Sequence, residues 1–347
     1  MPDTLLVAEL SANHNGSIEI AKQTMLAAKE AGADAVKLQT YTADTMTIDC
    51  DKPWFRINSG TLWDGDTLYS LYQKAFTPWE WHGELFEYGR SLGLCVFSTP
   101  FDTTAVDFLE TLKNPVYKIA SFEAMDYPLI AYAANKGKPI VISVGMLALE
   151  EIAEAVQTCR DAGNNDITLL VCTSEYPAKP EDAQLLKIGD LASKFNVKVG
   201  LSDHTMGYAV ASAAVALGAC MVEKHFIIDR SAGGVDSAFS MEPLEFKQMA
   251  DTIRVIEKAV APPNYGRISK GRVFARSLFA VKDISLGEEF TNENVRSIRP
   301  SYGLHPRYLP EILGRRASGD IERGTPLSWD VIEKRRYSGN EKGKNDE

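Results

Sequence analysis

From residue 4 to residue 226, short apolar runs rich in β-branched residues alternate with longer stretches in which apolar positions recur at helical spacing. The short runs predict strands at 4–10, 34–41, 95–100, 116–121, 139–145, 167–174, 197–204 and 221–226. Between them, IEIAKQTMLAAKEAG, TTAVDFLETL, LEEIAEAVQTCRDAG and GYAVASAAVALG read as amphipathic helices. Eight strands alternating with helices over ~250 residues predict an α/β fold, the (β/α)8 TIM barrel. An open doubly wound sheet is the competing arrangement, but no GxGxxG turn follows the first strand.

One connection is much longer than the rest. Residues 42–77 carry Trp54, Phe55, Trp63, Tyr69 and Tyr72, with Trp79 and Trp81 just beyond. A long loop at the carboxyl end of a barrel strand either shapes a binding site or covers the barrel end or a subunit contact. The pattern breaks at APPNYG, residues 261–266, where Pro and Gly stop the last helix. The expected organisation is a barrel over 1–260, a linker over 261–274, a compact module of short strands and turns over 275–336, and a frayed polar tail over 337–347. The module's halves share the pattern D-I-x-x-G at 283–287 and 320–324.

Composition narrows the function. Of 347 residues, 47 are Asp or Glu against 37 Lys or Arg, a formal net charge of −10. Such a surface disfavours nucleic-acid binding, which needs a cationic face. An anionic ligand would therefore require cations gathered inside a site. The five cysteines are scattered with no CxxC pair, arguing against a disulfide framework or zinc cluster and for a reducing cytosol. The start MPDTLLVAEL has no basic flank and reads as neither signal peptide nor membrane span, which takes ~20 apolar residues. The expected location is the cytoplasm.

A barrel displays its chemistry at the carboxyl ends of its strands. Those ends carry Glu9, then Asn13 and His14; Lys37 and Gln39; Ser98-Thr99-Pro100; Lys118 and Ser121, with Glu123 just after; Ser143; Thr173-Ser174-Glu175-Tyr176; Ser202-Asp203-His204; and Glu223-Lys224-His225. A single serine there is ordinary core polarity, but polar groups on all eight ends are more than a passive scaffold needs. Two lysines on neighbouring strand ends plus several hydroxyls suit an anion with phosphate and carboxylate groups. Lys224 alternates out of the barrel relative to Glu223 and His225 and reads as structural. His204 and His225 could together hold a divalent metal, Mn²⁺ or Mg²⁺, with open positions left for chemistry. Two hydrogen-bonded barrel histidines are the plainer alternative. His82 and His305 are assigned no metal.

The strings AELSANHNGS, GADAVKLQTYTADTMT, FSTPFD, YKIASFEA, GLSDHT and EKHF resemble the sialic acid synthase family, whose members condense phosphoenolpyruvate with an N-acetylated sugar. The similarity runs through the barrel into the second module, which looks like an antifreeze-like SAF domain. LWDGDTLYSLYQKAFTPWEWH and RPSYGLHPRYL are most similar to the branch that makes pseudaminic acid. ASFEA departs from the GSGE-type string of the N-acetylneuraminate branch, which turns the expectation away from N-acetylmannosamine.

The resemblance implies a metal on His204 and His225, and phosphoenolpyruvate held by Lys37, Thr99, Lys118, Ser121, Ser143 and Ser202. It sets Glu9, Gln39, Tyr176, Glu223 and Asp236 near the sugar and the reacting carbons. It further implies a domain-swapped homodimer in which Arg299 enters the partner's site. Glu9 is the first candidate for proton transfer and Glu223 the second. The competing readings are a Schiff-base aldolase using Lys118 or Lys37, an N-acetylneuraminate or legionaminic acid synthase, and a non-catalytic sugar- or ice-binding protein.

Overall fold

A computed structural model describes residues 4–58, 60 and 63–334; the expected polar tail, 337–347, lies outside these residues. The chain divides into two compact units, Met1–Ala261 and Pro262–Glu347.

In the first unit, strands β1 (Leu5–Glu9), β2 (Ala35–Thr40), β3 (Cys95–Pro100), β4 (Tyr117–Ile119), β5 (Ile140–Ser143), β6 (Ile167–Cys172), β7 (Lys198–Ser202) and β8 (Met221–His225) form a closed, wholly parallel barrel. The helices are α1 (Ile18–Glu30), α2 (Ala43–Met46), α3 (Leu68–Ala75), α4 (Trp79–Ser91), α5 (Thr103–Thr111), α6 (Tyr127–Ala134), α7 (Leu149–Asp161), α8 (Lys187–Phe195), α9 (Ala209–Ala216) and α10 (Pro243–Ala259). The barrel predicted from the alternation is the barrel observed. The strands are shorter than the apolar runs, so Ser121, Tyr176 and His204 sit in loops just past their strands.

Two cores explain the strand composition. One face of each strand joins the main core against the helices, where α1 buries Ala21, Met25 and Ala28 and α4 buries Leu85 and Phe86. The other face fills the barrel interior with Val7, Ala35, Phe97, Val141, Leu170 and Met221. Strands buried on both faces read as near-continuous apolar runs. Gly200 marks a close approach between strands: a Cβ there would stand 2.6 Å from the Met221 carbonyl oxygen and 2.8 Å from Leu170. Only glycine lets β7 and β8 lie at this spacing.

Lys224 points away from the interior, as its alternation predicts. Its ammonium is fully buried and donates to Asp203 Oδ2 at 2.8 Å and to the carbonyls of Thr205 at 2.7 Å and Gly207 at 3.0 Å. It ties the loop that carries His204 to β8. Among the described residues no helix is long and apolar enough to cross a membrane.

The second unit explains its repeated pattern. Strands β9 (Ser277–Ala280) and β10 (Val295–Ile298) pair antiparallel, and α11 (Leu309–Ile312) follows. Ile284 and Ile321 face each other across an antiparallel bridge and exchange both backbone hydrogen bonds. The Leu286 amide donates to Asp320 and the Arg323 amide donates to Asp283, each at 2.7 Å. Gly287 N–H reaches the Ala317 carbonyl and Gly324 N–H the Ala280 carbonyl. Every contact recurs after the same 37-residue step, from Asp283 to Asp320 and from Ala280 to Ala317. The two halves are thus interlocked copies about a local pseudo-twofold axis, around a small core of Leu278, Ile284, Phe290, Ile312, Ile321 and Leu327.

Replacing Lys224 alone leaves the Asp203 carboxylate buried and unpaired. Lys224→Met is expected to cost ~3–5 kcal/mol in denaturant unfolding, and a Lys224→Met/Asp203→Leu double variant to recover much of it. Equal losses in both would show that the ion pair is not the source.

Candidate active site

The parallel register sets the inward side chains at matching levels. Glu9 pairs in register with Lys37 on one side and with His225 on the other, Gln39 with Thr99, and Ser202 with Glu223. Above the apolar floor these residues form one buried polar layer. The Lys37 ammonium forms an ion pair with Glu9, donates to Thr99 Oγ1 at 3.2 Å and lies 3.9 Å from Glu223 Oε1. The Lys118 ammonium lies 3.4 Å from the same Glu223 oxygen, which also accepts from Ser202 Oγ at 3.0 Å. The two lysines stand on β2 and β4, with β3 between them, and not on neighbouring strands. They converge because inward side chains cross the narrow interior.

Burial and pairing pull the two carboxylates apart. Burial raises Glu9 to about 7, with Lys37 opposing the shift. Burial also pushes Glu223 upward, but Lys118 and Lys37 outweigh it and hold it below the usual range. Glu9 is therefore poised to carry a proton near neutrality, whereas Glu223 stays ionised and balances the lysines. Burial lowers Lys118, while Glu223 and Glu9 keep Lys37 high against its own desolvation.

Ser121 Oγ just past β4, Ser143 Oγ at the end of β5 and Glu223 Oε2 on β8 are buried without a hydrogen-bond partner in the protein. Buried polar groups are nearly always satisfied, so a cluster of unsatisfied ones marks a place built to receive polar atoms.

The histidines stand at the edge of the layer, their ring centroids 5.4 Å apart. His204 Nδ1 lies 2.8 Å from the Thr173 carbonyl, which places the proton on Nδ1 and leaves Nε2 with its lone pair. His225 Nδ1 is buried and unpartnered. Burial lowers both, His204 to about 4, so both rings are neutral, as ligation requires. The donor chemistry fits a divalent cation, although no group of three or more candidate ligand side chains occurs among the described residues. The remaining positions of such an ion would fall to substrate or water.

Outside the polar layer lies a cavity of about 1070 Å³ lined by Gln39, Tyr176, His225 and Asp236 among others. Tyr176 packs against His204 at 4.3 Å and Phe239 at 5.0 Å between ring centroids. Asp236 is held by the Ser11 hydroxyl, and burial raises it. Ser11 takes a φ of 45°, which turns the loop after β1 toward Asp236. Segment 42–77 contributes to this cavity: Met46, Ile57, Trp63, Leu68, Leu71 and Tyr72 line it. Trp79 and Trp81 do not; Trp79 stacks on Phe108 and Trp81 meets His14 edge-on. Trp54 is 80% exposed.

With that geometry in view, the comparisons are decisive. A family model described as "NeuB family" matches residues 24–264, and the SAF domain model matches 275–333. The chain belongs to the NeuB family. A pseudaminic acid synthase of Helicobacter pylori is 50% identical over 333 residues, covering 95% of this chain and 98% of that protein. An N,N'-diacetyllegionaminic acid synthase of Legionella pneumophila is 36% identical, covering 94% of each. Among solved structures, the spore coat polysaccharide biosynthesis protein SpsE of Bacillus subtilis aligns with a TM-score of 0.65 at 33% identity, covering 96% of each chain.

Within this NeuB chain the structure gathers Glu9, Lys37, Gln39, Thr99, Lys118, Ser121, Ser143, Tyr176, Ser202, His204, Glu223, His225 and Asp236 at the carboxyl end of the barrel. Arg299 lies in the second unit, exposed just after β10. Two neighbours carried no role in the sequence reading. Cys172 ends β6, its sulfur 3.9 Å from His204 Nδ1, and strand parity counted forward two residues from inward Leu170 would have turned it inward. Glu123 lines the cavity with Oε2 buried and unpartnered, and burial raises it to about 7.

The Glu123 shift has a signed consequence for stability. A carboxyl raised in the folded state costs nothing below its unfolded value near 4.5; its burial penalty grows between there and its folded value of about 7 and is constant above that. Glu123→Gln should match wild type at pH 4.5 in urea unfolding and exceed it by up to ~3 kcal/mol above pH 7. A difference independent of pH would count against the shift.

Proposed function

We propose that the protein is a pseudaminic acid synthase. It condenses phosphoenolpyruvate with 2,4-diacetamido-2,4,6-trideoxy-L-altrose to give pseudaminic acid and phosphate. The observation that carries this reading is the end-to-end relation to the H. pylori synthase, at 50% identity against 36% for the legionaminic enzyme. The joint presence of paired lysines and a histidine pair in one buried layer supports a condensation over a passive sugar-binding role.

In this reading Lys37 and Lys118 bind the phosphate and carboxylate of phosphoenolpyruvate, exchanging their carboxylate partners for substrate oxygens. Thr99, Ser121, Ser143 and Ser202 donate to the same oxygens, supported by the unsatisfied hydroxyls of Ser121 and Ser143. The methylene carbon of phosphoenolpyruvate attacks the aldehyde carbon of the open-chain sugar and forms the new C–C bond. The enol carbon, left cationic, takes up water. The tetrahedral adduct then breaks its C–O bond and releases phosphate. Glu9 moves the proton between the water and the former aldehyde oxygen, and ionised Glu223 stabilises the cationic carbon. Gln39, Tyr176 and Asp236 orient the sugar. His204 and His225 would hold the divalent metal, Mn²⁺ or Mg²⁺, which supplies Lewis-acid polarisation when bound.

The proposal includes a cytoplasmic, domain-swapped homodimer in which Arg299 of one copy serves the site of the other. Its support is the exposure of Arg299 and the free state of all five cysteines.

Phosphate release tests the substrate. With phosphoenolpyruvate and three acceptors, turnover should favour the altrose-type diacetamido sugar over its mannose-type isomer and N-acetylmannosamine. A preference for N-acetylmannosamine overturns the assignment. The anion site is tested separately: Lys37→Met/Lys118→Met should show no saturable phosphoenolpyruvate binding in calorimetry while retaining the wild-type circular dichroism. Saturable binding by a folded double variant would refute the lysine roles.

A further inference from the structure

The cavity has two sources. The strand ends and the loops after them supply its polar side chains Gln39, Glu123, His225 and Asp236, together with apolar Phe101 and Phe122. The other source is the long connection after β2, where Met46, Ile57, Leu68 and Leu71 present only carbon and sulfur. Helix α3 sets Leu68, Leu71, Tyr72 and Ala75 on one stripe at spacings of three and four, and all four line the cavity. An amphipathic helix normally spends such a stripe on a hydrophobic core. Here Met46, Ile57, Leu68 and Leu71 belong to neither core of the barrel unit.

The stripe is also held in place. The Thr67 hydroxyl caps α3 by accepting from the Ser70 amide at 3.1 Å. Lys74, on the outer side of the helix, pairs with Asp66 at 3.0 Å. Tyr69 donates to Asp44 at 3.0 Å, and Trp63 Nε1 donates to the Val235 carbonyl at 3.1 Å, joining the segment to the loop after β8. Tyr72 meets Tyr41 edge-on at 5.8 Å. The apolar wall is thus a fixed surface of the cavity.

We propose that this wall, centred on Leu68 and Leu71 of α3, selects the 6-deoxy end of the acceptor sugar. The inference rests on the sugar-condensing reading above and names the part of the substrate that this segment recognises. The reacting aldehyde carbon of the open chain sits by the strand ends with His225, so the far end of the sugar chain meets the segment opposite. A C6 methyl group buries apolar surface against Leu68 and Leu71. A C6 hydroxyl would lose water there and gain no partner from Met46, Ile57, Leu68 or Leu71. Discrimination of this kind is modest, because an apolar pocket rejects an added hydroxyl by about 100-fold at most.

The experiment compares kcat/KM, by phosphate release, for a 6-deoxy sugar and its 6-hydroxy counterpart on one enzyme preparation. The ratio is independent of the fraction folded. Two pairs are used: the diacetamido-altrose pair and the N-acetylmannosamine pair. Wild type should favour the 6-deoxy member of whichever pair it turns over by about 10–100-fold. Leu71→Asn should shrink the ratio at least several-fold, and Leu71→Met should keep it. A wild-type ratio near one, or an unchanged ratio in Leu71→Asn, overturns the inference. So does an equal fall for both sugars in Leu71→Asn accompanied by a changed oligomeric state, which would make the stripe a contact between copies. Turnover confined to the N-acetylmannosamine pair overturns the pseudaminic reading while still testing the wall, so the two failures are distinguishable.

Discussion

Closure of the sheet between β1 and β8 is the constraint on which the site depends. It sets Glu9 level with both Lys37 and His225, although these residues come from opposite ends of the barrel's sequence. Once the ring is closed, inward side chains have nowhere to go but toward each other. Two ammonium groups and two carboxyl groups then share a space from which water is largely excluded. Isolated charges there would be prohibitively costly, so each lysine lies beside a carboxylate. The same pairing divides the carboxylates into one that titrates near neutrality and one that stays charged.

This arrangement reconciles an acidic protein with an anionic substrate. The net charge of −10 is a property of the whole chain, while the cations that matter are two buried lysines. Their charge is balanced in place by Glu9 and Glu223, and an incoming phosphate and carboxylate can take over that balance without importing cations from the surface.

The second unit shows the same economy at smaller scale. A 37-residue step repeated once yields two interlocked halves whose Asp and Gly positions cap each other's turns. Neither half could bury its apolar residues alone. The shared D-I-x-x-G pattern was visible in the chain, but its meaning as a cross-connection between the halves was not.

The sequence by itself determined the barrel, its strand order and nearly every group in the polar layer. It could do so because strands buried on both faces leave unbroken apolar runs, and polar residues then stand out at one end of each run. It also separated Lys224 from its neighbours, since alternation along a strand is strictly two-residue. What it left open depended on distances across the ring. Chain order already sets β3 between the two lysines' strands, so the expectation of neighbouring strand ends was mistaken, and it is the narrow interior that brings residues of β2 and β4 together. The inward turn of Cys172 was legible from strand parity, but its closeness to His204, and the unpartnered Oε2 of Glu123, needed the tertiary structure. The segment 42–77 was ambiguous for a deeper reason: its apolar residues have helical spacing whether they cover a core or line a cavity. Only the tertiary structure decided that, because it alone shows what lies opposite the stripe of α3.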